Sequence, residues 1–304
     1  MKQGENFLSV FLEGIGIYAK HFITFTKYMA FPIFGQILGI ILAFGLSLGF
    51  AFYAVDMFKD STLTLSITLC LTIPGIYIFI RAFWEYLTAY VSISSMTENT
   101  LKSGRIYDID AHKQVVTKRA GSFITLWILF GLFTFIAIFP PMWFFAEIVF
   151  VLIILIFQVF TFEHDATPIQ CFKRSFNLIK PFNTYMQTQG LFILTALFTY
   201  WLLPKVVDLI CSILQIITFF AMLLDPLMTN LPINEFNAAL LALKLPYVIG
   251  SLSIAKFLTS MFISTIVIGF TLPLRSIIWT LWYKKLAIAE LKKKSKSKKK
   301  KASN

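Results

Sequence analysis

Long apolar stretches alternate with short polar segments along the chain, and this alternation predicts about six membrane-crossing helices. A helix needs roughly 20 apolar residues to cross a hydrocarbon core of about 30 Å. The predicted spans are residues 28–55, 63–91, 123–138, 142–162, 191 to the 204–209 region, and 257–283. The predicted fold class is therefore all-α, a polytopic transmembrane helical bundle with amphipathic helices on its inner face.

Proline marks the predicted breaks in this pattern. Pro74 and Gly75 predict a kink in the second span, a Pro140-Pro141 pair closes the hairpin between the third and fourth spans, and Pro273 interrupts the sixth. The stretch 191–224 would measure about 51 Å as one helix, which exceeds a single crossing. The course of residues 205–256 therefore stays open.

Polarity divides the chain into three predicted regions. Residues 1–27 form an amphipathic N-terminal segment, 28–283 form the six-helix membrane domain, and 284–304 form a polybasic cytoplasmic tail. The tail carries eight lysines within residues 292–301, and their mutual repulsion predicts disorder.

Composition supports lipid as the main solvent and offers little chemistry. Hydrophobic residues make up 58% of the chain, charged residues 14%, and the mean hydropathy is +0.77. The three cysteines lie far apart without a CxxC pair, and the three histidines show no metal-binding spacing. We therefore expect no enzymatic activity, no cofactor and no metal.

The distribution of positive charge predicts the orientation. Of the 27 Lys and Arg residues, 21 fall in the N-terminal segment, in the segments 97–119 and 164–189, or after Trp282. Cytoplasmic flanks of membrane helices carry such an excess. Six crossings with both termini in the cytoplasm follow, in the cytoplasmic (inner) membrane.

The segment after the fourth span predicts an amphipathic helix. Thr167 is a suitable N-cap, Pro168 suits the first helical position, Gln170 completes a capping box, and Pro181 ends the helix. Its predicted apolar half contains Ile169, Cys171, Phe172, Ser175, Phe176, Leu178 and Ile179.

A membrane helix followed by Glu163 and the sequence PIQCFKRSFNLIK resembles the membrane domain attached to some bacterial glycerophosphodiester phosphodiesterases and its stand-alone multi-pass relatives. The element TIPGI at 72–76 and the final helix from Pro273 to Tyr283 before a basic end are also similar to that domain. The resemblance implies a membrane fold and location. The catalytic barrel of the fused members has no counterpart here, so no activity is carried over.

Two sets of polar residues are candidates for function. The candidates for contact with anionic inner-leaflet phospholipid or with a protein partner are Lys173, Arg174, Ser175, Lys180, Lys292, Lys293 and Lys294. The candidate intramembrane polar residues are Arg81, Glu85, Lys205 and Asp208. For the second set, ion pairing at the membrane rim, Arg81 with Glu85 and Lys205 with Asp208, is the favoured interpretation over a substrate path.

Three functions remain open from the sequence. The first is a non-enzymatic structural or accessory component that contacts anionic lipid or a protein partner, without specific nucleic-acid binding. The second is a small-solute or lipid transporter with a site near the proline breaks, where freed backbone carbonyls could bind substrate. The third is an insertase-like protein whose lysine tail contacts ribosomal RNA through nonspecific phosphate contacts.

Overall fold

The computed structural model describes residues 6–46, 61–106, 109–136, 139–228, 233–242 and 249–302, and none of these residues lies in a strand. The α-helices are α1 (Phe7–Lys20), α2 (Phe22–Ile40), α3 (Ser61–Ser103), α4 (Ile109–Thr117), α5 (Ala120–Ile136), α6 (Trp143–Ile153), α7 (Ile156–Phe162), α8 (Pro168–Ile179), α9 (Phe182–Ala196), α10 (Leu203–Ile213), α11 (Ile216–Met228), α12 (Ile233–Ala242), α13 (Ser251–Phe270) and α14 (Leu272–Ala302). Shorter turns are the π-helices Ile41–Leu46 and Leu197–Leu202 and the 3₁₀-helix Pro140–Met142. The predicted all-α fold class is confirmed.

Five helical stretches within the described ranges are long and apolar enough to cross a membrane: Phe22–Gly45, Leu65–Ser103, Pro140–Phe162, Phe182–Ile213 and Ser251–Lys292. A sixth is obtained when α4 and α5, which are bent by 75° to each other, are taken together. Each of these stretches overlaps one of the six predicted spans, although several begin earlier or end later than predicted. Side chains such as Phe144 and Phe145 are 68% and 64% exposed, as expected where lipid surrounds the helices. The chain is a helical membrane protein.

The structure differs from the prediction around the second span. α3 runs through Pro74 to Ser103, so residues 96–103 are helical where the sequence predicts a polar loop. Thr97 in this extension and Ser94 just before it are fully buried, and each hydroxyl donates to the carbonyl oxygen four residues earlier. Small hydroxyl side chains that bond to their own helix can be buried against a neighbour without breaking it. The end of the first span, 47–55, and the acidic turn 56–60 lie outside the described residues.

Glycines allow α2 and α3 to approach closely. A Cβ added to Gly39 would lie 2.6 Å from the backbone nitrogen of Phe79 and 2.8 Å from the carbonyl oxygen of Gly75. A Cβ added to Gly35 would lie 2.8 Å from the Cβ of Ala82. Gly35 and Gly39 therefore form the small-residue pair, four positions apart, that lets membrane helices pack backbone to backbone.

The first and last helices, α1 and α14, pack against each other and carry part of the basic sequence. α1 corresponds to the predicted amphipathic segment and packs on α14, with Val10 and Phe11 buried. α14 continues to Ala302, whereas the sequence predicts disorder from residue 284. Lys is a good helix former, and the turns after Tyr283 are fixed by side-chain contacts of Lys284 and Glu290 with other helices. The division of the chain predicted at residue 283 stays a prediction.

The chain divides into two compact units, residues 1–195 with 272–304, and residues 196–271. In the second unit, α13 packs against α10 and α11. The fifth span was predicted to end near 204–209, but α10 continues to Ile213. A positive φ of 58° at Gln215 then separates α10 from α11. Residues 229–232 and 243–248 lie outside the described ranges.

The glycine contact between α2 and α3 generates the first prediction. We expect Gly39→Ala to lower the free energy of unfolding by about 1–3 kcal/mol, because the new methyl group overlaps the backbone of α3. The matched control is Gly131→Ala on α5, where an added Cβ meets nothing within 4 Å. Thermal unfolding of the detergent-solubilised protein measures both variants. Equal melting temperatures for the two variants would contradict the close approach.

Candidate functional site

A network of ion pairs joins α8, the end of α7 and α14. The guanidinium Nε of Arg174 lies 2.8 Å from Glu163 Oε1, and its Nη2 lies 2.7 Å from Glu290 Oε2. Tyr283 donates its hydroxyl hydrogen bond to the same Glu163 oxygen at 3.0 Å. Arg174 therefore holds two carboxylates from different parts of the chain, a task that suits its planar, forked group of donors.

The local sequence of α8 sets the position of Arg174. The Thr167 hydroxyl accepts from the backbone nitrogen of Gln170, whose side chain accepts from the Thr167 nitrogen, so the predicted capping box is confirmed. Cys171 and Ile179 are fully buried beneath the helix. Burial also raises the pKa of the Cys171 thiol to about 11, so this thiol is almost entirely protonated at neutral pH.

Ser175 forms hydrogen bonds with backbone groups at a break in the fourth span. α6 ends at Ile153 and α7 begins at Ile156, which leaves backbone groups without partners inside the helix. The Ser175 hydroxyl donates to the carbonyl of Leu152 at 2.8 Å and accepts from the nitrogen of Leu155 at 3.2 Å. Ser175 is fully buried, so its predicted role as a surface contact is wrong.

Arg119 closes the far end of the same span. Its Nη1 donates to the carbonyl oxygen of Phe160 at 2.9 Å, and its Nη2 donates to that of Ala166. The guanidinium carbon also lies 4.2 Å from the centroid of the Phe160 ring. The last carbonyls of a helix have no partner within it, so this arginine caps α7. The sequence singles out Arg119 only as a positive charge.

Further polar contacts tie the remaining basic segments together. Lys284 Nζ lies 2.7 Å from Glu98 Oε1, which also pairs with Lys102 at 3.2 Å. Lys285 donates to the Ser9 hydroxyl on α1 at 3.3 Å. We call this part of the first unit the basic end, defined as α1, segment 97–119, segment 163–180 and α14 after Tyr283.

A pocket of about 430 Å³ opens at the basic end. Its polar lining consists of Ser95, Glu98, Thr161, His164, Tyr283 and Lys284. Val115 and Phe162 add an apolar wall, and Lys284 Nζ lies 4.9 Å from the centre of the Phe162 ring. One carboxylate, one ammonium and several neutral hydrogen-bonding groups therefore face one small volume.

The candidate contact residues separate into two groups. Arg174 is engaged by two carboxylates and Ser175 is buried, so neither is available to an external partner. Lys173, Lys180 and Lys292 are exposed, and Lys180 Nζ lies 5.9 Å from the Phe176 ring. Lys293 and Lys294 lie on the α14 backbone, but their side chains are outside what the structure describes.

The candidate intramembrane residues do not pair as the sequence predicts. Glu85 pairs with Lys113 of α4 at 2.9 Å, and the exposed Arg81 forms no salt bridge within the described ranges. Asp208 accepts a hydrogen bond from Ser260 on α13 at 2.5 Å, and Lys205 is exposed. In both cases the acid bonds to a different helix, so the predicted pairs within one helix are wrong.

No group of three or more His, Cys, Asp or Glu side chains within the described ranges could hold a metal ion. His164 is exposed at the pocket, whereas His112 accepts or donates a 2.9 Å hydrogen bond with Ser95. Comparisons of the chain with protein-family models, with curated proteins and with solved structures find no match. The function therefore has to be argued from the geometry of the basic end.

The double pairing of Arg174 generates the second prediction. We expect Arg174→Ala to lower the free energy of unfolding by about 1–2 kcal/mol, because two charge-assisted hydrogen bonds are lost in a partly exposed site. Arg174→Lys should recover only part of this, since an ammonium cannot reproduce the fork. Lys173→Ala, at the exposed neighbour, is the matched control. Thermal unfolding in detergent measures the series, and equal losses for Arg174→Ala and Lys173→Ala would contradict the network.

Proposed function

We propose that this chain is a multi-pass protein of the bacterial cytoplasmic membrane, with six crossings and both termini in the cytoplasm. It acts as a non-enzymatic structural or accessory component. Its basic end lies at the inner leaflet, where exposed lysines contact anionic phospholipid. The likeness in sequence to the membrane domain of the glycerophosphodiester phosphodiesterases is part of this proposal.

The observation that carries the proposal is the direct contact among four basic segments. Lys285 reaches Ser9, Lys284 reaches Glu98, and Arg174 reaches Glu290. Arg119 binds the carbonyl of Ala166, which joins the segments 97–119 and 163–180. Side chains a few ångströms apart are expected on the same side of a bilayer, which supports an even number of crossings between each pair of segments.

Charge supports the cytoplasmic side for this end. The Lys and Arg excess that marks cytoplasmic flanks falls on these same four segments. Within them, Arg174, Lys113 and Lys284 are engaged by carboxylates, whereas Lys173, Lys180 and Lys292 are exposed. The exposed lysines are therefore the groups that can meet anionic headgroups, at about 1 kcal/mol each before screening.

The topology generates the third prediction. In a protein freed of its native cysteines, we expect Lys102→Cys and Lys173→Cys to react with an impermeant maleimide in inside-out vesicles and not in spheroplasts. Met142→Cys, at the exposed turn between the third and fourth spans, should react in the opposite preparation. A protein that retains only Cys171 is the buried control, and its thiolate fraction is about 100-fold below that of a thiol with the ordinary pKa of 9.0. Labelling of positions 102 and 173 from opposite faces would overturn the proposal.

Lipid contact generates the fourth prediction. We expect added phosphatidylglycerol to raise the melting temperature of the protein in zwitterionic nanodiscs, and salt to weaken the effect. Changing Lys173 and Lys180 together to Gln should reduce the increase. The matched control changes Lys205 and Lys256 to Gln, which removes exposed lysines from the other unit. An equal reduction in both variants would contradict specific contact through the basic end.

A further inference from the structure

The pocket at the basic end has the size and charge balance of a binding site for a small zwitterion. Its volume of about 430 Å³ falls within the usual range for ligand pockets. Glu98 and Lys284 contribute opposite charges to one wall, 2.7 Å apart. A ligand with only one sign of charge would attract one of these groups and repel the other, whereas a zwitterion can satisfy both.

Both charged groups keep bonding capacity for a ligand. Lys284 and Lys102 contact the same oxygen of Glu98, Oε1, which leaves Oε2 without a partner in the described part of the chain. The Lys284 ammonium has three hydrogens, and among the residues that the structure describes its one carboxylate partner is Glu98. The exposed His164 ring stands at the same pocket and forms no hydrogen bond with any described residue.

Gln158, on the same helix as the pocket residues Thr161 and Phe162, provides an independent observation. This side chain is fully buried, and neither its amide nitrogen nor its amide oxygen has a hydrogen-bond partner among the described residues. Gln158 precedes Thr161 by three residues and Phe162 by four on α7, so it shares the helix face that lines the pocket. Gln158 lies about 4.5 Å from Thr161 along the helix axis, on the side that faces away from the basic end and towards the bilayer interior.

This arrangement matches the order of groups in a phospholipid. We propose that the pocket binds the headgroup of a phospholipid that carries a primary ammonium, with the ammonium on Glu98, the phosphate on Lys284 and His164, and an ester carbonyl reaching the amide of Gln158. The proposal rests on the inner-leaflet position of the basic end argued above. A free zwitterion of the same chemistry would use the charged wall but would leave the buried amide unmet.

The test uses the full-length protein and native mass spectrometry. We expect phosphatidylethanolamine to be retained at a ratio of one to one, in preference to phosphatidylglycerol and phosphatidylcholine. Glu98→Gln should weaken retention at least tenfold, because a charge-assisted hydrogen bond is lost. Glu147→Gln, at a carboxylate outside the pocket lining, is the matched control and should retain the lipid. Equal retention of the three lipids, or equal behaviour of the two variants, would overturn the proposal.

A second variant separates binding from folding. Gln158→Leu removes an amide without partners, so we expect the lipid-free protein to unfold at the same or a higher temperature, while phosphatidylethanolamine binds several-fold more weakly. If Gln158 had a purely structural role, its replacement would instead lower the melting temperature of the lipid-free protein. Soluble glycerophosphoethanolamine is the second arm, and binding of it as tight as that of the lipid would overturn the assignment of a lipid. Neither result depends on the labelling of positions 102 and 173, so failure of this site is distinguishable from failure of the topology.

Discussion

The structure depends on one constraint, which is that lipid offers no hydrogen bonds to backbone groups freed at the breaks of a membrane helix. The fourth span has such a break between α6 and α7, and Ser175 fills it from outside the span. Arg119 donates to the carbonyl of Phe160 near the end of the same span. Residues outside this span, Arg119 before α5 and Ser175 on α8, therefore contribute to its stability. Because Glu163 follows α7 directly and Arg174 precedes Ser175 on α8, the repair of the span also brings that acid and that base together.

The same packing sorts the charges of a strongly basic protein. The formal net charge is +12, yet Glu98 and Glu163 of the basic end, and Glu85 on α3, are each bound to a cation from another helix. Carboxylates are thus used to hold helices together, and the surplus of lysines is left on the surface. A surplus inside the bundle would repel itself in a medium of low dielectric constant, whereas on the surface it is screened by water and by lipid phosphate. The pairing of the glutamates inside the bundle and the excess of lysines on its surface therefore have the same electrostatic cause.

Local patterns predict the parts of this structure that depend on local physics. The spans follow from runs of apolar residues, and the start of α8 follows from Thr167 and Gln170, which are neighbours in sequence. The roles of Arg119 and Ser175 could not be predicted, because their partners lie 41 and 20 residues away and carry no pattern of their own. The prediction of ion pairs within one helix was wrong for the same reason, because the carboxylates of Glu85 and Asp208 bond to residues of a neighbouring helix. The buried extension of α3 was missed because serine and threonine read as polar in sequence but bond to their own helix when buried.

Gln158 illustrates how a membrane protein can keep a polar group for binding. In the core of a water-soluble protein, a buried amide without a hydrogen-bond partner lowers stability, because water would hydrogen-bond to the same amide in the unfolded state. The unfolded state of a membrane helix still lies in the bilayer, where the amide also lacks water, so the difference between the two states is smaller. An amide on α7 is thus tolerated without a protein partner, and its bonding capacity is available to a ligand that arrives with its own polar groups at that depth. A phospholipid suits this position because the bilayer already orients it. Its polar groups lie at a fixed depth before it contacts the protein, and its ester carbonyls lie at about the depth of Gln158.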